Sequence, residues 1–226
     1  IGCCRTHLTR DNVLAASRRI VEADRMMRTK SFAGWSPLFM LGQELKGKTI
    51  GILGAGRIGS AVAERSLGWK MRVLYYDRGK NDYLEKTCNA NKVALDDLLR
   101  ESDFISIHLP YNQETHHLID AEKMKQMKKT AILINTARGP IIDETALVMA
   151  LMEKWIAAAG LDVYENEPEM APGLADLENV TLAPHIGSAT THARNEMSRI
   201  AAENLLSVLN GKKPEFTVNP EVQLKK

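Results

Sequence analysis

The sequence has few cysteines, and they lack the spacing of a structural framework. Only Cys3, Cys4 and Cys88 occur among 226 residues; two are adjacent and the third stands alone. An odd, unspaced set fits neither a network of disulfides nor a zinc site. The pattern therefore favours a protein of the reducing cytoplasm and predicts no metal centre.

Long apolar runs and a strong net charge are also missing. No stretch reaches the roughly eighteen consecutive apolar residues of a membrane span, and no secretory signal pattern is recognisable. A formal net charge of +2, without an arginine-rich block, gives no reason to expect nucleic acid or a membrane as a partner. The composition is that of a globular protein: 44% of the residues are hydrophobic and 26% are charged. The chain is also long enough to form a hydrophobic core.

The N-terminal part of the chain predicts a helix followed by a looser segment. Apolar residues recur at roughly helical spacing and predict one long amphipathic helix over 11–29: Val13, Leu14, Ile20, Val21 and Met27. The segment 30–47 contains Phe32, Trp35 and Phe39. These aromatic residues fit either a wrap against another surface or a loop packed on its own domain, and the sequence leaves both open.

From Lys48 onwards, strand and helix patterns alternate. Strands are predicted at 49–54, 71–77, 103–110, 130–136, 156–164 and 180–184, and helices at 57–68, 94–102, 120–128, 143–154 and 190–210. Alternating units of this kind indicate a parallel sheet with helices on both faces. The tail, 211–226, is expected to be extended.

A glycine-rich stretch follows the first predicted strand. Gly54, Gly56 and Gly59 have the G-x-G-x-x-G spacing and open a predicted helix, which is the context of a dinucleotide-binding turn. The helix N-terminus offers N–H groups and a partial positive charge to phosphates. Asp77 ends the second strand eighteen positions after Gly59. A carboxylate there accepts ribose hydroxyls and repels a 2′-phosphate, which favours NAD over NADP.

Two neighbouring cations and a plainer alternative weaken that interpretation. Arg78 and Lys80 lie next to Asp77 and could soften the preference for NAD. A glycine-rich turn with a surface aspartate is the plainer alternative.

Three further stretches place reactive side chains at predicted strand ends, the edge where ligands bind in open α/β folds. Arg138 precedes Gly139 and Pro140, and its planar guanidinium suits a carboxylate beside a ketone. Asp162 and Glu167 follow the next strand, and His185 follows the last one. Taken alone, Arg138 also fits a surface arginine, and His185 a capping or packed loop histidine.

Together these stretches carry a resemblance. GKTIGILGAGRIG, INTARGPIIDE, GLDVYENEP and APHIGSAT, in this order, resemble the NAD-binding domain of D-isomer-specific 2-hydroxyacid dehydrogenases, over about residues 10–220. The upstream GWSPLFMLGQELKGKT is more similar to the glyoxylate/hydroxypyruvate reductase branch. The resemblance implies an α/β fold with a Rossmann-type, doubly wound parallel sheet and a remnant of a second, substrate-binding domain. The implied division is 1–30, N-terminal segment and long helix; 31–189, NAD-binding domain; 190–226, helix and tail of the substrate domain.

The family's roles carry over to matching positions. The resemblance implies NADH-dependent reduction of a small 2-oxo acid to a D-2-hydroxy acid, with His185 as proton donor, Glu167 as its paired carboxylate and Arg138 orienting the substrate. The implied cofactor residues are Gly54, Gly56, Arg57, Ile58 and Gly59 for the diphosphate, Asp77 for the ribose, Leu109 and Pro110 over the adenine side with Glu114 also in the site, and Thr136, Ala137, Arg138, Asp162, His185, Gly187 and Ser188 around the nicotinamide.

The chain also departs from the family. Members usually carry a longer N-terminal part, which builds most of the substrate domain, and this chain begins about where that part reaches the long helix. Three alternatives therefore stay open: a dehydrogenase without its substrate domain, a shortened NAD-binding and dimerisation module with little turnover, and a corepressor-like NAD sensor. A homodimer is expected, because residues 11–45 are rich in apolar side chains and symmetric dimers are the commonest assembly.

Overall fold

A seven-stranded parallel sheet forms the centre of the fold, with strand order β3-β2-β1-β4-β5-β6-β7. The structure, a computed structural model, describes residues 2–219 and 221. The strands are β1 Thr49–Leu53, β2 Arg72–Tyr76, β3 Asn91–Lys92, β4 Phe104–Ile107, β5 Ile132–Asn135, β6 Ala158–Leu161 and β7 Val180–Leu182. The order reverses between β1 and β4, and a crevice at the carboxyl ends of the strands is expected there. The predicted doubly wound α/β fold is confirmed.

Eight helices occur in the described residues: α1 Gly2–Ser17, α2 Ile20–Arg28, α3 Arg57–Ser66, α4 Asp82–Cys88, α5 Leu95–Glu101, α6 Ala121–Gln126, α7 Glu144–Met152 and α8 Thr191–Leu209. Successive strand residues point to opposite faces of the sheet. Ile52 therefore joins the apolar cluster that includes residues of α1, α3 and α4, and Leu53 joins the one that includes residues of α5, α6 and α7. Burial on both faces explains why β1 is apolar throughout rather than alternating.

The chain divides into two compact units, 2–187 and 188–226. The sheet and α1 to α7 belong to the first unit. Helix α8 is the main element of the second, and the Thr190 side chain caps it by accepting a hydrogen bond from the Ala193 N–H. The assignment of 190–226 to a substrate domain stays a prediction. None of the described helices is long and apolar enough to cross a membrane.

The predicted single helix over 11–29 is wrong. Two helices replace it, and α1 begins well before residue 11. Arg19 adopts a left-handed conformation with φ 55° and pairs with Glu22 at 2.6 Å. The chain returns to α1 at Gln43, whose N–H donates to the carbonyl of Ser17 at 2.8 Å. This bond gives a partner to a carbonyl at the helix end, where the helix itself provides none. This contact with a distant segment ends the helix, and the spacing of apolar residues in the sequence gives no sign of it.

The sequence patterns missed α4 and β3. Only Leu84 and Cys88 of α4 are buried, so the segment lacks an apolar stripe long enough to detect. Asn81 caps its start by accepting the Leu84 N–H at 3.0 Å, and Asn89 ends it in a left-handed conformation with φ 48°. In the tail, the described residues after 210 contain neither helix nor strand, and 220 and 222–226 lie outside the described residues.

Asp103 precedes β4 and connects the start of β1 with the segment between α6 and β5. One carboxylate oxygen accepts the Thr49 N–H at 2.9 Å, and the other accepts the Lys128 ammonium at 3.0 Å. Burial opposes ionisation of Asp103. The Thr49 N–H and the Lys128 charge outweigh it and hold the pKa of Asp103 below its usual range. The ionised carboxylate therefore stabilises the fold.

Asp103→Asn tests this contribution. At pH 7 we expect the free energy of unfolding to fall by about 1.5–3 kcal/mol, the scale of hydrogen bonds to a charged group. Because the folded-state pKa is depressed, the contribution exists above the unfolded pKa and disappears as pH falls through the folded one. Urea unfolding from pH 7 to about pH 3 should show the parent's advantage shrinking toward acid. The control is Asp97→Asn, at an exposed ion pair with Arg100; an equal loss in both variants contradicts the account.

Candidate active site

The glycine turn between β1 and α3 has the shape of a phosphate cradle. Gly54 has φ +96°, and a Cβ there would lie 2.8 Å from the backbone of His108. A Cβ on Gly59 would overlap the carbonyl of Gly54, so the close approach of helix to strand requires glycine. A Cβ on Gly56 would meet nothing within 4 Å. The cradle therefore opens to space at Gly56, where a diphosphate can approach the backbone.

The start of α3 completes the cradle. Gly56 is the residue before the helix and provides no side-chain cap, and Arg57 and Ile58 form the first turn. The first N–H groups of a helix have no partner within the helix, and the helix dipole gives them a partial positive charge. An anion is the natural ligand of such an end.

Asp77 and Asn81 hold the glycine turn in place. A carboxylate oxygen of Asp77 accepts the Ala55 N–H at 2.7 Å. The Asn81 amide donates to the Ala55 carbonyl at 2.7 Å and to the Ser60 hydroxyl at 3.2 Å. The nearby Lys80 ammonium is engaged by acidic side chains of α4, Asp82 at 2.9 Å and Glu85 at 3.1 Å. Asp77 thus lies against the turn.

His185 and Glu167 form a direct pair just beyond β7. Nδ1 of His185 lies 2.8 Å from Oε2 of Glu167, and the two side chains are 45% and 36% exposed. The other carboxylate oxygen accepts the Tyr164 N–H at 3.0 Å, and the Tyr164 hydroxyl donates to the carbonyl of Ala183 at 2.9 Å. The pair is therefore fixed by the backbone through Glu167 and Tyr164.

The charges around this pair suit proton transfer. Burial opposes ionisation of Glu167, but the bond with His185 and the Tyr164 N–H, together with the charge of Arg138, hold the pKa of Glu167 below its usual value. An ionised carboxylate also fixes the orientation of a paired imidazole. By contrast, burial, followed by the charge of Arg5, lowers the pKa of His108 to about 3. His108 is thus neutral near pH 7 and is excluded as a cationic donor.

Arg138 is exposed at the end of β5, on a tightly held turn. Its backbone carbonyl accepts the Asn135 amide at 2.9 Å, and Asn135 also accepts the Ala137 N–H at 3.0 Å. A Cβ on Gly139 would overlap the backbone of Tyr164, so the turn lies directly against the loop that follows β6. Nη1 of Arg138 donates to the carbonyl of Ala137 at 2.6 Å, and the other guanidinium nitrogens can still bind a carboxylate.

Asp162 is buried at the end of β6 and holds the segment after His185. Its two oxygens accept the N–H groups of Ile186 at 2.7 Å and Gly187 at 2.8 Å. Burial raises the pKa of Asp162, and these two N–H groups partly offset the effect. Each carboxylate oxygen has a second lone pair beyond these bonds. No group of three or more metal-ligating side chains occurs in the part of the chain that the structure describes.

Comparison with known proteins identifies the family. The sequence profile of the D-isomer specific 2-hydroxyacid dehydrogenase NAD binding domain matches residues 11–187. The chain belongs to this family. A protein of Staphylococcus haemolyticus with a provisional 2-hydroxyacid dehydrogenase name is 51% identical over 212 residues, which cover 94% of this chain and 67% of the relative.

Solved structures agree with that assignment. A protein of Thermus thermophilus superposes with a TM-score of 0.90 at 41% identity, covering 95% of this chain and 68% of that one. A glyoxylate reductase from Paecilomyes thermophila gives 0.87 at 35% identity, covering 97% and 66%. The chain thus spans about two thirds of the length of these relatives.

The structure brings some of the predicted site residues of this dehydrogenase domain together. Hydrogen bonds pair His185 with Glu167 and Asp162 with Gly187, and Asp77 lies at the glycine turn. Leu109 and Pro110 follow β4, and Glu114 lies in an exposed turn where its N–H donates to Asn112 at 2.9 Å. Ser188 begins the second unit. The ligand-binding roles of all these residues stay predictions.

Sequence reasoning missed two residues of α1 that border the site. Thr9 is buried and its hydroxyl lies 2.7 Å from that of Thr136. Arg5, one turn earlier, has its Cγ 3.0 Å from the position of a Cβ on Gly187. Burial and then the charge of Arg138 lower the pKa of Arg5. Because the helix was predicted to begin at residue 11, no pattern pointed to them.

Two substitutions of Asp77 test its predicted role in binding the ribose of the cofactor. Asp77→Asn keeps an oxygen that can accept the Ala55 N–H but removes the negative charge, so we expect the preference for NADH over NADPH to fall with little change in NADH affinity. Asp77→Ala should lose both the preference and affinity, because the turn loses its anchor. Fluorescence titration with each cofactor measures both. An unchanged preference in Asp77→Asn contradicts the ribose role.

Proposed function

We propose that this chain is the cofactor-binding and proton-transfer part of an NADH-dependent reductase of a small 2-oxo acid, of the glyoxylate or hydroxypyruvate kind, forming the D-2-hydroxy acid. The observation that carries the proposal is the His185–Glu167 pair at 2.8 Å, at the carboxyl edge of a sheet that also presents the glycine turn. Membership in the family supports the reaction class. The similarity to a glyoxylate reductase supports a small substrate.

The residues present fit a dinucleotide. The open position at Gly56 and the uncapped start of α3 would hold the diphosphate, Asp77 the ribose, and Asp162 the nicotinamide amide. When bound, NADH supplies the hydride. Asp82 and Glu85 engage Lys80, one of the two cations that follow Asp77 in the chain, and this supports NAD over NADP.

The chain's own side chains supply the proton and the orientation. His185 gives a proton from Nε2 to the developing alkoxide, and Glu167 fixes the ring through Nδ1 and stabilises its charge. Arg138 binds the substrate carboxylate with its planar fork and stabilises charge on the reacting oxygen. Arg5 adds a second positive charge on the α1 side of the cleft.

The first experiment separates turnover from binding. We expect the 226-residue chain to bind NADH, seen by fluorescence, and to oxidise it when glyoxylate or hydroxypyruvate is added. Oxidation is followed as the loss of the near-ultraviolet absorbance of the reduced nicotinamide. Tight binding without oxidation would replace the proposal with an NAD-binding module or sensor. No binding would contradict both.

His185→Gln and Glu167→Gln test the pair. We expect His185→Gln to lower turnover by about 10²-fold or more, the usual scale of acid–base catalysis, and Glu167→Gln to lower it less, because the donor remains. NADH affinity should stay within about twofold in both, since the diphosphate and ribose contacts remain. Full turnover by His185→Gln would remove this residue from the mechanism.

We also propose a homodimer, formed through the segment after α2. Trp35 is 80% exposed, Leu38 81% and Leu41 63%, unusual exposure for large apolar side chains. A groove of about 700 Å³ lies beside this segment, lined by residues that include Val21, Leu41, Ile132, Leu151 and Val180. A second copy of this chain is the occupant we propose, because symmetric dimers are the commonest soluble assembly.

The cysteine pattern keeps the reducing cytoplasm as the expected compartment.

Sedimentation tests the dimer. We expect a mass of twice the 25.1 kDa chain at micromolar concentration. Trp35→Asp should shift the mass toward one chain, because a buried carboxylate without a partner is costly in an apolar interface. Phe216→Asp, at an exposed apolar residue in the tail, is the control and should leave the mass unchanged. A parent mass of 25.1 kDa contradicts the proposal.

A further inference from the structure

A second histidine–carboxylate pair lies beside the first. Nε2 of His117 is 2.7 Å from Oε1 of Glu165, and the two side chains are 36% and 21% exposed. The His117 backbone adopts a left-handed conformation with φ 49°, and its N–H donates to the carbonyl of Pro140 at 2.9 Å. The ring of His116 lies against that of His117, with centroids 4.0 Å apart. The proposed reaction uses neither residue of this pair.

The Glu165 carboxylate is also tied to the start of α7. Its second oxygen accepts the Glu144 N–H at 3.2 Å. In return, one oxygen of Glu144 accepts the N–H groups of Glu165 at 3.4 Å and Ala171 at 3.3 Å. Glu144 is buried, and burial raises its pKa. The loop 164–171 is thus held at Glu165 and Ala171 by hydrogen bonds to Glu144, the first residue of α7.

The partners of His117 are adjacent to two proposed functional residues. Pro140 is two positions after Arg138, and Glu165 is two positions before Glu167. Gly139, between Arg138 and Pro140, packs directly on the backbone at Tyr164 and Glu165. His117 therefore bridges, through one backbone bond and one side-chain bond, the turn that carries the guanidinium and the loop that carries the carboxylate.

We propose that His117 is a positioning residue, whose bonds to Pro140 and Glu165 hold the Arg138 turn against the Glu167 loop and so set the geometry between the guanidinium and the His185–Glu167 pair. Its catalytic consequence rests on the proposed function. Its structural consequence, the placement of Glu167, does not. Catalytic geometry is sensitive, since a displacement of about 1 Å can cost up to about 10² in rate.

The kinetic test uses three variants. His117→Ala should lower kcat for the 2-oxo acid by about tenfold or more while NADH affinity stays within about twofold, because the cofactor contacts are elsewhere. His117→Gln should recover most of the loss, since its amide can donate to Glu165. His116→Ala is the comparison variant: His116 shares the loop and contacts the Pro140 carbonyl at 3.2 Å but does not bond Glu165. It should lower kcat clearly less than His117→Ala does.

A second readout does not depend on activity. The bonds from His185 and Tyr164 keep the pKa of Glu167 below its usual value. Titration of the ¹³C-labelled Glu167 carboxyl by NMR should show this pKa rising toward the usual value in His117→Ala and returning in His117→Gln. Should His117→Ala fail to fold, Glu165→Gln keeps the shape of the side chain but removes its charge and replaces one acceptor oxygen by an amide donor, which weakens the bond to His117. It should show the same rise at smaller amplitude.

The outcomes are distinct. A Glu167 pKa that rises in a chain with no turnover upholds the positioning role and refutes the proposed function. A Glu167 pKa equal to the parent's in His117→Ala overturns the positioning role, even when thermal stability falls, because the pair then only stabilises the fold. Where turnover is measurable, an unchanged kcat in His117→Ala overturns it as well.

Discussion

The contact between the turn after β5 and the loop after β6 is the constraint on which the candidate site depends. Gly139 allows the Arg138 turn to lie on the backbone of Tyr164 and Glu165, and a side chain at this position would overlap it. The same loop then delivers Glu167 to His185, while Tyr164 holds Ala183. Three strand ends are thereby locked together. Parallel pairing of β5, β6 and β7 brings these ends to one edge, and this close contact fixes their spacing.

Burial and hydrogen-bond partners together determine the charge state of each ionisable group in the site. His108 is neutral near pH 7. Glu167 is ionised because of its bonds with His185 and Tyr164 and the charge of Arg138. Asp162 is buried and uses both oxygens to hold the backbone after His185. His185 thus presents a partly exposed imidazole bonded to an ionised carboxylate, which is an arrangement that suits a proton donor.

Much of the fold was predictable, because buried strands, glycine spacing and alternating units are local patterns. The residues at strand ends were also predictable, since parallel strands share one carboxyl edge. The failures have tertiary causes. The break at Arg19 follows from Gln43 returning to the end of α1, and α4 buries too few residues to show a period. Arg5, Asn81 and His117 act through contacts with distant segments, and the chain carries no spacing rule that would reveal them.

The central claim is that His185 and Glu167 act as one unit, and a double-mutant cycle tests it most directly. Turnover of the 2-oxo acid is measured for His185→Gln, Glu167→Gln and the double variant. Residues that act as a unit give losses that do not multiply. The account predicts that the double variant is no slower than His185→Gln. Losses that multiply would show that the two side chains contribute independently and would contradict the account.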